Sequence, residues 1–197
     1  MSATVIFIHG ANSTSSSFNY IKSCCHFNNV EDFDYSVQQR FFLNLTDMTE
    51  RLSFITGPIF FIAHSLGGIF ALLLADQFAD RVKGAVTIST PYGGSSIADF
   101  IKFLVPNNQF FREIGPCAEP IAQSKQIQIR WPWLNIVTTR GHVPWIPGNN
   151  DGVVTLDSMR NHHGMETIDV ASNHYEILLN NQVIDIIKER TDVIFSS

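Results

Sequence analysis

Residues 59–68 read Ile59-Phe60-Phe61-Ile62-Ala63-His64-Ser65-Leu66-Gly67-Gly68. The apolar, uncharged run at the start of this segment predicts a strand that is buried on both faces. An apolar segment over 66–78 then predicts a helix, so the chain must turn sharply at Ser65. Small residues two positions before and after the serine, Ala63 and Gly67, leave room for the backbone to make such a turn.

A serine at a sharp strand-to-helix turn resembles a nucleophile elbow, in which a strained backbone projects the hydroxyl from the edge of the sheet. The usual pattern has glycine on both sides, so Ala63 departs from it by one methyl group. A simpler interpretation is that Ser65 only caps the helix, because serine is common before an apolar helical run.

Outward from this turn, short β-branched or aromatic segments alternate with segments of helical periodicity. The predicted strands cover 4–8, 34–37, 59–63, 83–89, 134–138 and 166–170. The predicted helices cover 15–24, 44–54, 66–78, 95–103 and 175–190. This alternation predicts an α/β fold, a three-layer α/β/α sandwich with a mostly parallel central sheet. Functional residues are expected after the carboxyl ends of the strands.

The length and composition of the chain favour a single folded domain and argue against a protein that binds nucleic acid. A chain of 197 residues suits a single domain, which we expect to cover residues 1–197. It has 13 basic and 18 acidic residues and a net charge of −5, with no basic block, so a nucleic acid partner is not expected. Hydrophobic residues make up 45% and charged residues 16%, which indicates a folded protein.

The first residues lack the charged stretch and cleavage site of a signal peptide, so we do not expect export by a standard signal. The most apolar stretch is interrupted by polar residues and glycines, so we expect no integral membrane segment. Its three cysteines, two of them adjacent, form neither a disulfide framework nor a metal-ligand spacing. Free thiols in the cytoplasm are the expectation. The run His162-His163-Gly164-Met165-Glu166 lacks the helical histidine spacing of a metal site, and no metal is predicted.

The first predicted strand ends in His9-Gly10-Ala11-Asn12. A loop at this place can supply a backbone N–H to an oxyanion hole, so we predict the amides of Leu66 and Ala11 as the donors, with Asn12 as the second choice. His9 is predicted to be structural, with its ring hydrogen-bonded to the loop.

A serine hydroxyl needs a histidine to remove its proton, and that histidine needs a carboxylate to orient it. In proteins with such an elbow the acid and then the histidine follow the serine along the chain. His174 fits best because it follows the predicted strand 166–170 and opens the last helix. The other downstream histidines stand in polar loops where surface roles suit them better: His142, His162 and His163.

Nine carboxylates lie between Ser65 and His174. The acid is expected on the loop after the strand 134–138, which leaves Asp151 and Asp157. Asp151 is preferred because its Asp-Gly-x-Val context is rich in turn formers. Either carboxylate could instead form an Asx-turn or cap a helix, so both assignments stay open here.

Together these segments resemble small α/β-hydrolase lipases and esterases of the triacylglycerol lipase or GPI inositol-deacylase type. The resemblance rests on five segments in order: Phe7-Ile8-His9-Gly10, Ala63-His64-Ser65-Leu66-Gly67-Gly68, Ile88-Ser89-Thr90-Pro91-Tyr92-Gly93-Gly94-Ser95, Asn150-Asp151-Gly152-Val153-Val154 and Ser172-Asn173-His174. It implies cleavage of a carboxylic ester through an acyl-enzyme on Ser65, with water activated by His174 and no cofactor.

The expected substrate is a small-molecule or lipid ester, and transient contact with a lipid surface is compatible with it. Phospholipid or lipid-anchor deacylation, thioester or amide hydrolysis, and a catalytically silent binding module are the alternatives. The aromatic-rich region 95–133 is either a short cap over the site or a helix packed on the sheet.

Overall fold

The computed structural model describes residues 3–94, 110 and 118–195. Its strands form one sheet in the order β2-β1-β3-β4-β5-β6, and every neighbouring pair is parallel. The strands are β1 (Thr4–Ile8), β2 (Val30–Asp32), β3 (Ile59–His64), β4 (Val82–Ile88), β5 (Trp133–Thr138) and β6 (Glu166–Val170). The predicted parallel sheet is confirmed.

Helices cover both faces of the sheet, as predicted for a three-layer sandwich. The α-helices are α1 (Asn19–Cys25), α2 (Phe41–Phe54), α3 (Gly67–Gln77), α4 (Glu119–Gln126), α5 (Leu156–Arg160) and α6 (Asn181–Phe195). Two short 3₁₀ helices, Ser15–Phe18 and Glu176–Leu179, precede α1 and α6. The sequence patterns did not predict α4 and α5.

The sheet separates two hydrophobic cores, because successive side chains of a strand point to opposite faces. In β1, Ile6 and Ile8 pack with the buried faces of α2 and α3. Val5 and Phe7 pack on the other side with residues of α1 and α6. This two-sided burial explains why the central strands are continuous apolar runs instead of alternating patterns.

The predicted strand at 34–37 is wrong. The edge strand lies earlier, at Val30–Asp32, and pairs with β1 alone. The N–H of Phe33 still donates to Phe7 O of β1, but side chains take the backbone donors that follow: the N–H of Tyr35 donates to His9 Nε2 at 3.2 Å and that of Ser36 to Asn44 Oδ1 at 3.3 Å. These side-chain contacts replace the strand ladder, so the sheet ends at β2.

The end of β4 also differs from the prediction by one residue. Ser89 lies outside the strand because its φ is +52°, in the left-handed region that a strand residue does not adopt. The predicted final helix is divided at Asn180, whose extended backbone ends the 3₁₀ helix and whose Oδ1 accepts the N–H of Gln182 at 2.8 Å. Its apolar face is buried as predicted, and the helix continues beyond residue 190 to Phe195.

The predicted helix 95–103 and most of the possible cap at 95–133 lie outside the described residues. Within that region, Phe110 is buried. The centroid of its ring lies 5.9 Å from that of Tyr35 and 6.1 Å from that of Phe41. Ile121 of α4 joins the core cluster that contains α3. Over the described ranges, no helix combines the length and apolar character needed to cross a bilayer.

Candidate active site

Ser65 lies at the carboxyl end of β3 in a strained backbone conformation. Its φ is +52°, a value that few residues other than glycine adopt. The turn is fixed by hydrogen bonds on both sides, from Ser65 N to Ile88 O at 2.8 Å and from Gly68 N to Ser65 O at 3.0 Å. The surrounding structure therefore holds the serine in a geometry that it would not adopt alone.

Gly67 allows the close approach of backbone that was predicted for the small residues around the turn. A Cβ atom at this position would lie 2.2 Å from Ile8 O and 2.5 Å from His9 O, so α3 begins directly against the end of β1. The alternative in which Ser65 caps the helix is wrong, because the N-cap is Leu66 and no side chain makes a cap hydrogen bond there.

His174 lies in the loop after β6 and contacts Ser65. Its Nε2 is 3.0 Å from Ser65 Oγ, although 109 residues separate the two along the chain. The side chain is almost fully buried, and its main chain is held from both sides, because His174 N donates to Asp151 O and His64 Nε2 donates to His174 O. The imidazole is thus fixed in position next to the hydroxyl.

Asp151 completes the chain of contacts. Its Oδ2 lies 2.7 Å from His174 Nδ1, and its Oδ1 accepts the backbone N–H groups of Val153 at 3.0 Å and Val154 at 2.7 Å. The Thr138 hydroxyl also donates to Oδ2. Asp151 therefore forms an Asx-turn and contacts His174 at the same time.

Burial, the largest influence, raises the pKa of Asp151, but hydrogen bonds from His174, Thr138 and the Val154 amide together hold it below its usual value. The carboxyl group is therefore ionised at neutral pH. Since an ionised carboxylate can only accept, the proton of the neutral imidazole is on Nδ1 and the lone pair on Nε2 faces Ser65.

The structure distinguishes the two candidate acids. Asp157 is exposed in the first turn of α5, whereas Asp151 is buried against His174. The loop that holds Asp151 is organised by Asn150, whose side-chain amide donates to Val143 O and Ile146 O, each at 3.1 Å.

The two predicted oxyanion donors belong to segments that adjoin or pass close to the serine. Leu66 follows Ser65 directly, and Ala11 belongs to the loop after β1. A Cβ added to the neighbouring Gly10 would lie 3.2 Å from Ser65 Cβ, so this loop passes close to the serine. Within the described part of the chain, neither N–H donates to a backbone carbonyl.

The other histidines make different contacts. His9 is structural as predicted: its Nδ1 lies 2.7 Å from Gly10 O, its Nε2 accepts from Tyr35 N, and its ring stacks on Tyr35. Burial lowers the pKa of His9, which favours the neutral ring. His142 contacts Asn150 and His162 contacts Ser124 O.

His64 is a residue of the site that sequence reasoning did not assign. It is buried beneath the turn, and its Nε2 donates to His174 O at 2.9 Å. Burial, reinforced by the neighbouring His174, lowers the pKa of His64 to about 3, so the ring is neutral. Its adjacency to Ser65 was visible, but its partner stands 110 residues away and no pattern indicates that contact.

Comparison with known proteins supports this architecture. No curated protein sequence matches the chain. Among solved structures, the lipase BlEst2 of Bacillus licheniformis is 16% identical, with a TM-score of 0.69 over 96% of this chain and 92% of that one. The monoacylglycerol lipase of Paleococcus ferrophilus is 15% identical, with a TM-score of 0.65 over 95% and 93%.

A pyrethroid hydrolase from Sphingobium faniae JZ-2 is also similar, with 12% identity and a TM-score of 0.64 over 96% of this chain and 97% of that one. At these identities the likeness concerns the fold. A sequence-family model described as the alpha/beta hydrolase fold matches residues 22–134, more than half of the chain. With its parallel sheet and its strand-to-helix serine turn, the chain belongs to the α/β-hydrolase fold family.

Proposed function

We propose that this protein is a serine hydrolase that cleaves carboxylic esters through an acyl-enzyme intermediate. The observation that supports this most strongly is the continuous chain of contacts from Ser65 Oγ through His174 to the Asp151 carboxylate. Each member has the role that nucleophilic catalysis requires: Ser65 is the nucleophile, His174 the general base, and Asp151 the group that orients it.

In the first half of the reaction, Ser65 Oγ attacks the ester carbonyl carbon while its proton passes to His174 Nε2. The carbonyl oxygen becomes an oxyanion, for which the N–H groups of Leu66 and Ala11 are the proposed donors. When the tetrahedral intermediate collapses, the carbon–oxygen bond to the alcohol breaks and the alkoxide takes the proton from His174. The acid part of the substrate remains bound to Ser65.

In the second half, water attacks the acyl carbon and gives a proton to His174 Nε2. Collapse of the second intermediate releases the carboxylic acid and returns the proton to Ser65 Oγ, so the protein is regenerated without a cofactor. Asp151 stabilises the imidazolium that forms in each half and keeps its ionised form throughout.

We favour ester substrates over other acyl compounds because two of the similar solved structures are lipases. A thioesterase domain, Vlm2, is also similar, at 13% identity and a TM-score of 0.59 over 95% of this chain. Thioesters, phospholipids and amides therefore belong in the same substrate panel.

The test is hydrolysis of nitrophenyl esters of short and long acyl chains by the wild type and by Ser65→Ala. Loss of the nucleophile is expected to lower turnover by roughly 10⁶-fold. The matched control is Ser53→Ala, an exposed serine at the end of α2, which should keep wild-type turnover. Equal rates for wild type and Ser65→Ala on all esters would contradict the proposal.

Fluorophosphonate labelling separates a hydrolase of other specificity from a silent binding module. If the protein is labelled at Ser65 but cleaves no nitrophenyl ester, we would infer a hydrolase of another specificity and test it on the thioesters, phospholipids and amides of the panel. A protein whose Ser65 is not labelled would be a binding module of the same fold.

A further inference from the structure

Two hydroxyl groups behind Asp151 are not needed for the steps above. Thr138 is the last residue of β5, and its side chain is fully buried. Its Oγ1 donates to Asp151 Oδ2, the same oxygen that accepts the His174 Nδ1–H. The position of this oxygen is therefore set by two donors, one from the imidazole and one from the sheet.

Ser89 extends this chain by one residue. It follows β4, is fully buried, and places its Oγ 3.0 Å from Thr138 Oγ1. A hydroxyl has one proton, and Thr138 gives its proton to the ionised carboxylate. The Ser89 hydroxyl must therefore be the donor to Thr138 Oγ1, which fixes the direction Ser89 to Thr138 to Asp151.

The backbone of Ser89 shows that this position is constrained. Its φ of +52° equals that of Ser65, and both serines follow neighbouring strands of the sheet. Glycine would adopt this conformation without strain. A serine held here, with its hydroxyl donating to Thr138, indicates that the side chain has a role beyond the turn.

We propose that Thr138 and Ser89 are positioning residues for the Asp151–His174 pair. This inference rests on the proposed function. Thr138 holds Asp151 Oδ2 in line with His174 Nδ1, and Ser89 orients the Thr138 hydroxyl so that its proton points at the carboxylate. Thr138 Oγ1 also lies 3.4 Å from Met159 Sδ, but a thioether is a weak acceptor, so the carboxylate takes the proton. Because both hydroxyls are buried behind Asp151, we expect them to affect the chemical step and not substrate binding.

The first test is Thr138→Val, which keeps the shape of the side chain and removes the donor. We expect kcat for a nitrophenyl ester to fall by about 10–100-fold, by analogy with the loss of a group that orients a metal ligand, with KM unchanged. Thr138→Ser restores a hydroxyl and should recover most of the activity. Thr191→Val removes a buried hydroxyl from α6 and is the control that should keep wild-type kcat.

The second test uses Ser89→Gly, which relieves the backbone strain while it removes the hydroxyl. Its melting temperature should not fall, whereas kcat should decrease by about two- to tenfold, the effect of one lost hydrogen bond. A Ser89→Gly variant with wild-type kcat would show that the serine only forms the turn and would overturn its assigned role.

A spectroscopic readout separates failure of this inference from failure of the proposed function. The proton shared by His174 Nδ1 and Asp151 should give a low-field ¹H NMR resonance that is absent from His174→Gln. We expect this resonance to shift in Thr138→Val and to stay in place in Thr191→Val. An unchanged resonance together with unchanged kcat in Thr138→Val would overturn the inference, whereas an inactive wild type would contradict the proposed function alone.

Discussion

The carboxylate of Asp151 determines which nitrogen of His174 carries the proton. It accepts hydrogen bonds through both oxygens and cannot donate, so the imidazole must present its lone pair to Ser65. In Asp151→Asn, the side-chain amide can donate to His174 Nδ1 and stabilise the opposite tautomer. We expect kcat to fall by roughly 10⁴-fold with little change in the fold, as measured by ester hydrolysis and circular dichroism.

Asp157→Asn is the matched control for this substitution. Asp157 is exposed in α5 and is the carboxylate that the sequence left as the alternative acid. It should keep wild-type kcat. A large loss in Asp157→Asn with normal activity in Asp151→Asn would reverse the assignment of the acid.

The residues of the site differ in how well sequence could predict them. Ser65, Asp151 and His174 each follow a predicted strand, and parallel strands bring their carboxyl ends together. Their position, together with the turn patterns around Ser65 and Asp151, was enough to select them as candidates. The contacts of His64, Ser89 and Thr138 could not be predicted in this way. The contact of His64 spans 110 residues, that of Ser89 spans 49, and that of Thr138 with Asp151 spans 13, and each depends on how buried side chains pack, which only the folded structure determines.

At the scale of elements, the contact between α3 and β1 controls the elbow. Gly67 allows the first turn of α3 to rest on the carbonyl groups of Ile8 and His9. Because these are backbone atoms, they cannot move aside as a flexible side chain would. We expect Gly67→Ala to lower the free energy of unfolding by about 3 kcal/mol, the upper end of the usual cost of overpacking, measured by urea denaturation.

Gly148→Ala provides the comparison for that experiment. Gly148 has a φ of +85°, but nothing lies within 4 Å of an added Cβ. Its substitution therefore costs only backbone strain, about 1 kcal/mol. If Gly67→Ala were no more destabilising than Gly148→Ala, the close approach of α3 to β1 would not be a constraint on the fold.

Five of the six strands were easier to predict than β2. β1, β3, β4 and β5 were predicted within one residue because burial on both faces leaves an apolar run, and the edge strand β6 was predicted because its last residues alternate between exposed and buried side chains. The other edge strand, β2, is only three residues long and mostly exposed. Tyr35 and Val37 gave a stronger strand signal nearby, but side-chain contacts of His9 and Asn44 take the backbone donors there.

At the scale of the whole molecule, the parallel sheet gathers five strand ends at one edge. The loop after β1, Ser65, Ser89, Thr138 and His174 all lie at that edge, and Asp151 reaches it from the loop after β5. The arrangement of the candidate site residues therefore depends on the register of five of the six strands.

The buried side chain of His64 should make the stability of the whole protein depend on pH. The pKa of His64 is lowered to about 3 by burial, against 6.5 for an ordinary histidine. As the pH falls below 6.5, the unfolded chain binds a proton at this residue and the folded protein does not, so stability decreases with falling pH until about pH 3. The lowered pKa of Asp151 acts in the same direction, but only below its ordinary value of 3.8.

Between pH 7 and pH 5, His64 alone should therefore cost the folded state about 2 kcal/mol. The measurement is urea unfolding at both pH values for the wild type and for His64→Gln, which keeps a donor for His174 O and does not titrate. The loss between the two pH values should be about 2 kcal/mol smaller in the variant. Where the variant is too unstable to compare, NMR of the wild type should show a neutral His64 ring at pH 5, and a protonated ring there would contradict the prediction.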